Sequence, residues 1–443
     1  MKKYDAYKDS GVKWIGEIPE HWEIAPLKSC FNVLSGATPK STELSYWEDG
    51  NINWITPADF KTEDRLISDG AKKITKEGFM SCSTTLIPSG SIIFSKRAPI
   101  GSVVINSNEV CTNQGCFSCI PKDDISSLFF YYIMSVSQKY FDMLGTGTTF
   151  NEISANVFKN VHLPVPPLPE QQAIASYLDA KTEKIDQMIA KAEKKIEYLG
   201  ELKQSLITRA VTRGLNPNTP LKDSGVKWIG SVPYHWEIIS LKRLLTNERD
   251  NLKVGPFGSQ LQGKDIVDES EYWIYNQRSV LDNNFETTNS YITEEKFLDM
   301  SSFAVRKDDI LITTRGTIGK IARVPQQYHK GIIHPCIIKF RIDKGKVHYP
   351  FIERLFNDSN IIKTEVKLSS NATTIEVIYG GTLKELHLPF PPLTEQQQIA
   401  NYLDTKCSKI DHIIATQKKK IAYLQELKQS LITNVVTGKI KVS

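Results

Sequence analysis

Hydrophobic residues recur at helical spacing in two long stretches of the chain. The apolar a and d positions of a heptad are Leu178, Ile185, Met188, Ala192, Leu199, Leu202 and Leu206 in the first stretch, and Leu403, Ile410, Ile413, Leu424, Leu427 and Leu431 in the second. Lys181 and Lys195 interrupt the first. Such heptads predict coiled-coil helices, and about 40 residues would span about 60 Å at 1.5 Å per residue.

The ends of both helices carry different signals. Pro169 is a first-turn proline in the first copy, whereas Thr394 with Gln397 has the pattern of a capping box in the second. Gly214 and Gly438 follow the last periodic residues, where helices commonly stop.

These helices belong to an internal duplication. The segment from Leu168 matches the segment from Leu393 at roughly two positions in three. The phrase KDSGVKWIG at residues 8–16 also returns unchanged at 222–230. We therefore predict an arm and variable block at 1–167, a helix at 168–214, a linker at 215–221, a second arm and variable block at 222–392, and a second helix at 393–443.

Two amphipathic helices in one chain can cover each other. Packed antiparallel about a pseudo-twofold axis, they would place the two blocks at opposite ends of a stiff rod. Oligomerisation between chains remains an alternative, because heptads alone fix neither partner nor orientation.

The blocks between the repeats show short β patterns. SIIFSKRAPIGSVVI in the first and DILITTRGTIGKIARV in the second each read as strand, basic turn and strand. The predicted fold class is mixed α/β (α+β), with two globular domains separated by two long antiparallel helices.

Basic and polar turns occupy comparable places in both blocks. Arg97 and Arg315 each precede a glycine-containing turn, and arginine can read guanine edges or clamp a phosphate, although a surface ion pair is the alternative. Asn, Gln and Thr loops offer adenine and phosphate contacts. The candidate DNA-binding residues are Lys40, Lys96, Arg97, Asn113, Gln114, Thr146, Thr148, Lys264, Gln277, Arg278, Arg315, Lys320, Asn371 and Thr373.

Charge and hydropathy add little to this picture. The net charge of +5 suits a polyanion partner but is weak support over 443 residues. No run approaches the roughly 18 apolar residues of a membrane span, and the first residues lack a signal-peptide pattern. A cytoplasmic protein is expected.

Three cysteines have the spacing of an iron–sulfur loop: Cys111, Cys116 and Cys119. If Cys336 is the counterpart of Cys116, Gly331 and Lys339 replace the other two, and one copy would lack the site. Reduced, buried thiols are therefore expected, with no metal.

Catalytic motifs are not evident. GTGTTF lacks a P-loop lysine, and neither G-x-G-x-x-G after a strand nor H-E-x-x-H occurs. PVPPLP and PFPPLT lack the Asn or Asp of an adenine-methylating motif and instead suggest stiff leads into the helices. No catalytic residue is assigned. A self-contained methyltransferase and a structural adaptor between two proteins are the competing functions.

The repeated GEIPEHWE and GSVPYHWE arms, the PPLPEQQAIASYLD and PPLTEQQQIANYLD segments and the two ELKQSLI endings resemble the specificity subunits of type I restriction–modification systems. The resemblance covers essentially the whole chain. It implies a noncatalytic, DNA-binding subunit whose two target recognition domains each read one half of a split, asymmetric double-stranded site.

The resemblance also implies partners. The helices would set the spacer and dock two modification subunits, with two restriction subunits where the system cleaves. S-adenosylmethionine, ATP and Mg²⁺ would belong to those partners, which methylate adenine and cut DNA. The arm tryptophans Trp14, Trp22, Trp228 and Trp236 are expected to pack where each block meets the helices.

Overall fold

The computed structural model describes residues 2–61, 65–97, 99–146, 151–369 and 377–442. The chain divides into two units, Met1–Glu193 with Lys418–Ser443, and Lys194–Gln417. The first unit is therefore built from two separate stretches of chain. None of the helices in the described part of the chain is long and apolar enough to cross a membrane.

The first unit combines short strands with short helices. Its strands are β1 Tyr7–Asp9, β2 Glu17–Pro19, β3 Glu23–Pro26, β4 Phe31–Ser35, β5 Ile52–Ile55, β6 Leu66–Ile67, β7 Lys72–Ile74, β8 Ile92–Ser95, β9 Val103–Asn106, β10 Cys111–Thr112, β11 Cys116–Pro121 and β12 His162–Val165. Its helices are α1 Leu27–Cys30, α2 Lys76–Met80, α3 Ser127–Val136, α4 Gln138–Leu144, α5 Ala155–Lys159 and the first part of α6 Leu168–Arg213, with 3₁₀ turns at Leu44–Tyr46 and Pro57–Asp59.

Its main sheet has the order β4-β11-β8-β9-β6, and a second sheet has the order β10-β5-β7. Strand β8 is buried along its whole length. Its side chains alternate between two hydrophobic clusters, with Ile92 and Phe94 in one and Ile93 in the other, as the two-residue period of a strand requires. The predicted pairing of β8 with β9 is antiparallel, as expected for a strand, turn and strand.

The second unit repeats this plan. Its strands are β13 Leu221–Asp223, β14 Ser231–Pro233, β15 Glu237–Ser240, β16 Leu252–Val254, β17 Tyr272–Tyr275, β18 Tyr291–Ile292, β19 Ile310–Thr313, β20 Ile321–Arg323, β21 Gly331–Ile333, β22 Ile337–Phe340 and β23 His387–Phe390. Its helices are α7 Gln277–Leu281, α8 Glu294–Asp299, α9 Tyr349–Asn357, α10 Ile361–Ser369, α11 Gly380–Glu385 and the first part of α12 Leu393–Val436, with 3₁₀ turns at Leu241–Leu244, Gly263–Asp265 and Ser301–Phe303.

The sheets of the second unit have the orders β16-β22-β19-β20 and β18-β17-β21. Strands β19 and β20 pair antiparallel, as predicted. Small arm pairs flank the sheets in both units, β1 with β2 and β13 with β14. The mixed α/β class is confirmed.

Strand register shows which positions of the two units correspond. Ser95 pairs with Cys116 in the first unit, and Thr313 pairs with Ile337 in the second. The counterpart of Cys116 is therefore Ile337, and the predicted match to Cys336 is wrong by one residue. The sequence alignment failed because the HPC stretch offers a cysteine one residue before the strand that fixes the register.

The three closely spaced cysteines lie in three different hydrophobic clusters. Cys111 packs with Trp54, Cys116 with Ile93, and Cys119 with the larger core around Phe94. Burial raises the pKa of the Cys111 thiol to about 11 and raises the pKa of the other two thiols as well. All three side chains are core residues, and the predicted burial of these thiols is confirmed.

The two long helices pair antiparallel within the chain. In the first unit, Lys428 of α12 lies 2.6 Å from Asp186 of α6. In the second unit, Lys203 of α6 lies 2.7 Å from Asp411 of α12. Each unit thus joins the first half of one helix to the second half of the other, which confirms the predicted intramolecular coiled coil.

The helix stops agree with prediction, but one start does not. Gly214 and Gly438 have φ of 71° and 73°, the left-handed conformation that ends a helix. Helix α12 already begins at Leu393, so Thr394 lies inside its first turn and the predicted capping box is wrong. The carbonyl of Pro392 instead accepts the first helical hydrogen bond, from Gln396.

The arms pack on the long helices as expected. Trp22 is fully buried in a core that includes Leu178 of α6 and Val435 of α12. Trp236 is fully buried in the equivalent core of the second unit, with Val211 and Leu403. Trp14 and Trp228 are partly buried against the same two cores.

Candidate nucleic-acid interface

Four loops meet at one edge of the first unit. The N–H of Lys96 donates to the carbonyl of Gly115 at 3.0 Å, and the N–H of Ile153 donates to the carbonyl of Lys96 at 3.0 Å. The N–H of Gly36 donates to the carbonyl of Cys116 at 3.4 Å. These bonds gather the loops that follow β4, β8 and β10, together with residues 151–153.

The second unit forms the same edge from different side chains. The N–H of Thr314 donates to the carbonyl of Cys336 at 3.1 Å, and the N–H of Ile378 donates to the carbonyl of Thr314 at 3.0 Å. The N–H of Gly255 donates to Ile337 at 2.9 Å. The loops after β16, β19 and β21 are therefore placed as their counterparts are in the first unit.

A glycine is required at the same point of both edges. A Cβ on Gly36 would lie 2.2 Å from the carbonyl oxygen of Thr112, and a Cβ on Gly255 would lie 2.3 Å from that of His334. Any other residue would force the backbone apart. The close approach holds the loop that follows each glycine against its neighbour.

The basic turn of the first unit is tied to one carboxylate. Glu152 contacts Lys96 at 2.8 Å and Arg97 at 2.7 Å. Desolvation alone would raise the pKa of Glu152, but hydrogen bonds from both cations bring it below its ordinary value. Lys96 also lies over the ring of Phe117. The ion-pair interpretation thus describes these two cations in the free protein, although the side chain of Arg97 stays 46% exposed.

The polar candidates of the first unit lie at this edge. The Asn113 carboxamide oxygen accepts the N–H of Gly115 at 2.9 Å and so shapes the turn. Gln114 is exposed, and its side chain contacts the Thr38 hydroxyl. Thr146 is exposed and exchanges backbone hydrogen bonds with Glu152.

Three candidates of the second unit come together. Arg278 is exposed on α7, whose first turn is capped by the side chain of Asn276. The Gln277 amide donates to the backbone carbonyl of Arg315 at 2.8 Å. The side chain of Arg315 is exposed beside this contact.

The remaining candidates are more scattered. Lys40 is exposed in the loop after Gly36, and Lys264 is exposed in a 3₁₀ turn. The Lys320 ammonium donates to the carbonyl of Asn357, and burial lowers its pKa, so the structure gives its predicted DNA contact no support. The candidates outside the described residues are Thr148, Asn371 and Thr373.

Sequence reasoning missed residues that organise these edges. Thr38 and Glu152 hold predicted candidates in place in the first unit. His334 is half-buried in the second, where its Nδ1 accepts the N–H of Cys336 at 3.1 Å. Burial and nearby Arg315 lower the pKa of His334. Correct strand register would have found it, since His334 is the counterpart of Asn113.

Comparison with known proteins places the chain among DNA specificity proteins. Residues 19–198 and 259–423 match a family described as the type I restriction modification DNA specificity domain. The chain is 26% identical over 437 residues to the type I restriction enzyme MjaIX specificity subunit of Methanocaldococcus jannaschii, covering 97% of this chain and 95% of that protein. It is 22% identical to the EcoBI specificity subunit of Escherichia coli, covering 98% and 89%.

Solved structures show the same fold. A chain from a structure on complex assembly and conformational transition of the type I R-M system aligns with a TM-score of 0.72 at 16% identity, covering 96% of this chain and 99% of that one. The HsdS subunit from Thermoanaerobacter tengcongensis aligns with a TM-score of 0.58 at 16% identity, covering 96% and 98%.

Proposed function

Since this chain belongs to the type I restriction modification DNA specificity domain family, we propose that each of its units reads one half of a bipartite, asymmetric DNA site. The chain is a noncatalytic specificity subunit with DNA-recognition domains. The loop edges described above are the proposed reading surfaces. The paired helices α6 and α12 set the number of base pairs between the half-sites.

The observation that carries this proposal is the repeated edge. Both units use the same backbone hydrogen bonds and the same crowded glycine to gather loops, yet they mount different side chains on them. A shared backbone arrangement that carries different side chains suits two domains that recognise different DNA sequences. The alternative of a structural adaptor gives no reason for two unlike polar edges.

The proposed edges combine two kinds of contact. Exposed lysines and arginines supply phosphate contacts, which give affinity and make it depend on salt. Arg97, Gln114, Gln277 and Arg315 supply contacts to base edges, which give sequence choice. In the first unit, DNA must draw Arg97 away from Glu152, so the ion pair opposes binding to any partner that offers no good acceptor.

The proposal extends to the partners. Two modification subunits dock on the helices and carry S-adenosylmethionine, and two restriction subunits, where present, use ATP and Mg²⁺. Adenine methylation and DNA cleavage then occur in those subunits, in a cytoplasmic complex directed by this one.

Exchanging one recognition block tests the proposal. Replacing residues 29–167 by the corresponding block of another specificity subunit should change one half-site and leave the other half-site and the spacer unchanged, because each edge is built within its own unit. Methylated adenines in cells carrying the hybrid and its modification partner would be mapped by long-read sequencing. The reciprocal exchange of residues 243–392 is the control and should change only the other half.

Two results would contradict the proposal. A hybrid in which both half-sites change together would show that the units do not read independently. A parent protein that directs no sequence-specific methylation with its partner would remove the recognition role altogether.

A further inference from the structure

Phe257 is an exposed aromatic residue at the loop edge of the second unit that is proposed to contact DNA. The residue is 75% exposed, the largest value among the big apolar residues within the described ranges. A single exposed apolar residue is not unusual by itself. Its position and the way it is held are what distinguish it.

The turn that carries Phe257 is fixed to the edge. Gly255 and Pro256 are buried, and Gly255 is the crowded glycine that packs against His334. The N–H of Phe257 donates to the Gln260 side chain at 2.9 Å, and its carbonyl accepts from the N–H of Gln260 at 2.8 Å. The ring is therefore presented outward by a closed turn with a buried base.

The corresponding position of the first unit contacts a predicted reader. Gly36 and Gly255 are equivalent, so Thr38 is the counterpart of Phe257, two residues further on. The Thr38 hydroxyl contacts Gln114, a candidate for base contact. Equivalent backbone positions thus carry a hydroxyl group in the first unit and an apolar ring in the second.

We propose that Phe257 determines sequence choice by packing against the 5-methyl group of a thymine in the half-site read by the second unit. This rests on the proposed function. Arg315 and Gln277, on the same edge, suit the major groove, where arginine pairs with guanine and glutamine with adenine. The apolar feature that the bases present in that groove is the thymine methyl, which a phenylalanine ring can contact.

Thymine-to-deoxyuridine substitution tests this contact, because deoxyuridine lacks only the methyl group. The subunit in complex with its modification partners would be titrated with duplexes containing the mapped site, in which each thymine of that half-site is replaced singly. One replacement should weaken binding of the parent about fourfold, the effect of one buried methyl-sized group. Phe257→Ala should bind the natural duplex at least about fourfold more weakly and be insensitive to that replacement.

A matched control separates this effect from general loss of apolar surface. Leu298 is 63% exposed on α8 of the same unit, and Leu298→Ala should match the parent on every duplex. Phe257→Leu, which keeps an apolar side chain, should retain part of the sensitivity. Thermal unfolding of each variant, compared with that of the parent, checks that the exposed substitution leaves the fold intact.

Several results would overturn the inference. They are unchanged binding by Phe257→Ala, a parent insensitive to every replacement, or a half-site without thymine. Weak binding by Phe257→Ala with an insensitive parent would point to base unstacking or to a protein contact instead. Failure of the proposed function looks different, because the parent complex would then not prefer the mapped site over unrelated DNA.

Discussion

Two partly buried glutamates show how duplicated residues have diverged at the joints between arm and helix. Glu170 contacts His21 at 2.9 Å and accepts the Tyr4 hydroxyl, whereas its counterpart Glu395 contacts His235 at 2.8 Å and accepts the indole N–H of Trp236 at 3.0 Å. Within the described residues, the buried indole nitrogen of the equivalent Trp22 has no hydrogen-bond partner. The same joint is thus closed by different donors.

We expect Trp236→Phe to destabilise the protein more than Trp22→Phe, by about 1–2 kcal/mol, because only Trp236 gives up a hydrogen bond to a carboxylate. Both changes remove a similar volume from a fully buried site, so each serves as the control for the other. Urea unfolding of the two variants measures the difference. Equal losses would mean that the bond to Glu395 contributes nothing to stability.

For single residues, the sequence predicts which loops lie close together better than it predicts the hydrogen bonds of each side chain. The polar loops do gather at one edge of each unit, because strand ends bring their connections together. The state of each side chain could not be predicted, since Asn113 is used within its own turn and Lys320 caps a helix carbonyl. Such local hydrogen bonds depend on the folded backbone.

Among the elements, the paired helices α6 and α12 are the best predicted. Heptads predict which face of a long helix is covered, and Leu178, Ile185 and Leu199 are buried as expected. The prediction is wrong for Met188, Ile413 and Leu427, which are exposed. Short strands are harder, since one missed residue shifts the register, as it did for Cys336. The start of α12 lies earlier than the predicted capping box, because the carbonyl of Pro392 already accepts the first helical hydrogen bond.

Lengthening both helices should lengthen the recognised spacer. Four residues inserted after Lys194 and after Lys419 would add about 6 Å to each helix, against about 3.4 Å per base pair, so we expect a gap longer by one or two base pairs. These points lie between the Asp186–Lys428 and Lys203–Asp411 contacts and leave both in register. Methylation mapping measures the gap.

The control carries the insertion in α6 alone. This variant should lose methylation, because the two ion pairs and the apolar seam can no longer form together. An unaltered spacer in the double-insertion variant would contradict the proposed role of the helices in setting the distance between the half-sites.

For the whole molecule, the duplication predicts that equivalent joints can be closed in different ways. In the second unit, the exposed segment 215–220 links α6 to the second arm. In the first unit, no peptide link joins α12 to the first arm, but Lys441 donates its N–H to Lys2 at 2.9 Å and the Tyr7 hydroxyl donates to Gly438. An isolated antiparallel bridge between Lys2 and Lys441 takes the place of the covalent link.

A circularly permuted chain should therefore keep its specificity. Joining the segments around Lys441 and Lys2 with a short polar linker, and opening the chain between Pro217 and Asn218, alters only exposed backbone at the new opening. We expect an unchanged methylation pattern in cells. Opening the chain instead beside buried Val211 should abolish it, and loss of methylation in both permutants would contradict the interpretation.

The core of the first unit includes residues from the end of α12. Trp22 and Leu27 share this core with Ile432, Val435 and Val436. During translation, domains generally fold as soon as their residues leave the ribosome. Here the first unit must wait with an open core until residues 418–443 have emerged, whereas Lys194–Gln417 can fold earlier. A premature stop before Ile432 would thus leave the core around Trp22 incomplete, although residues 2–193 of the same unit had already been synthesised.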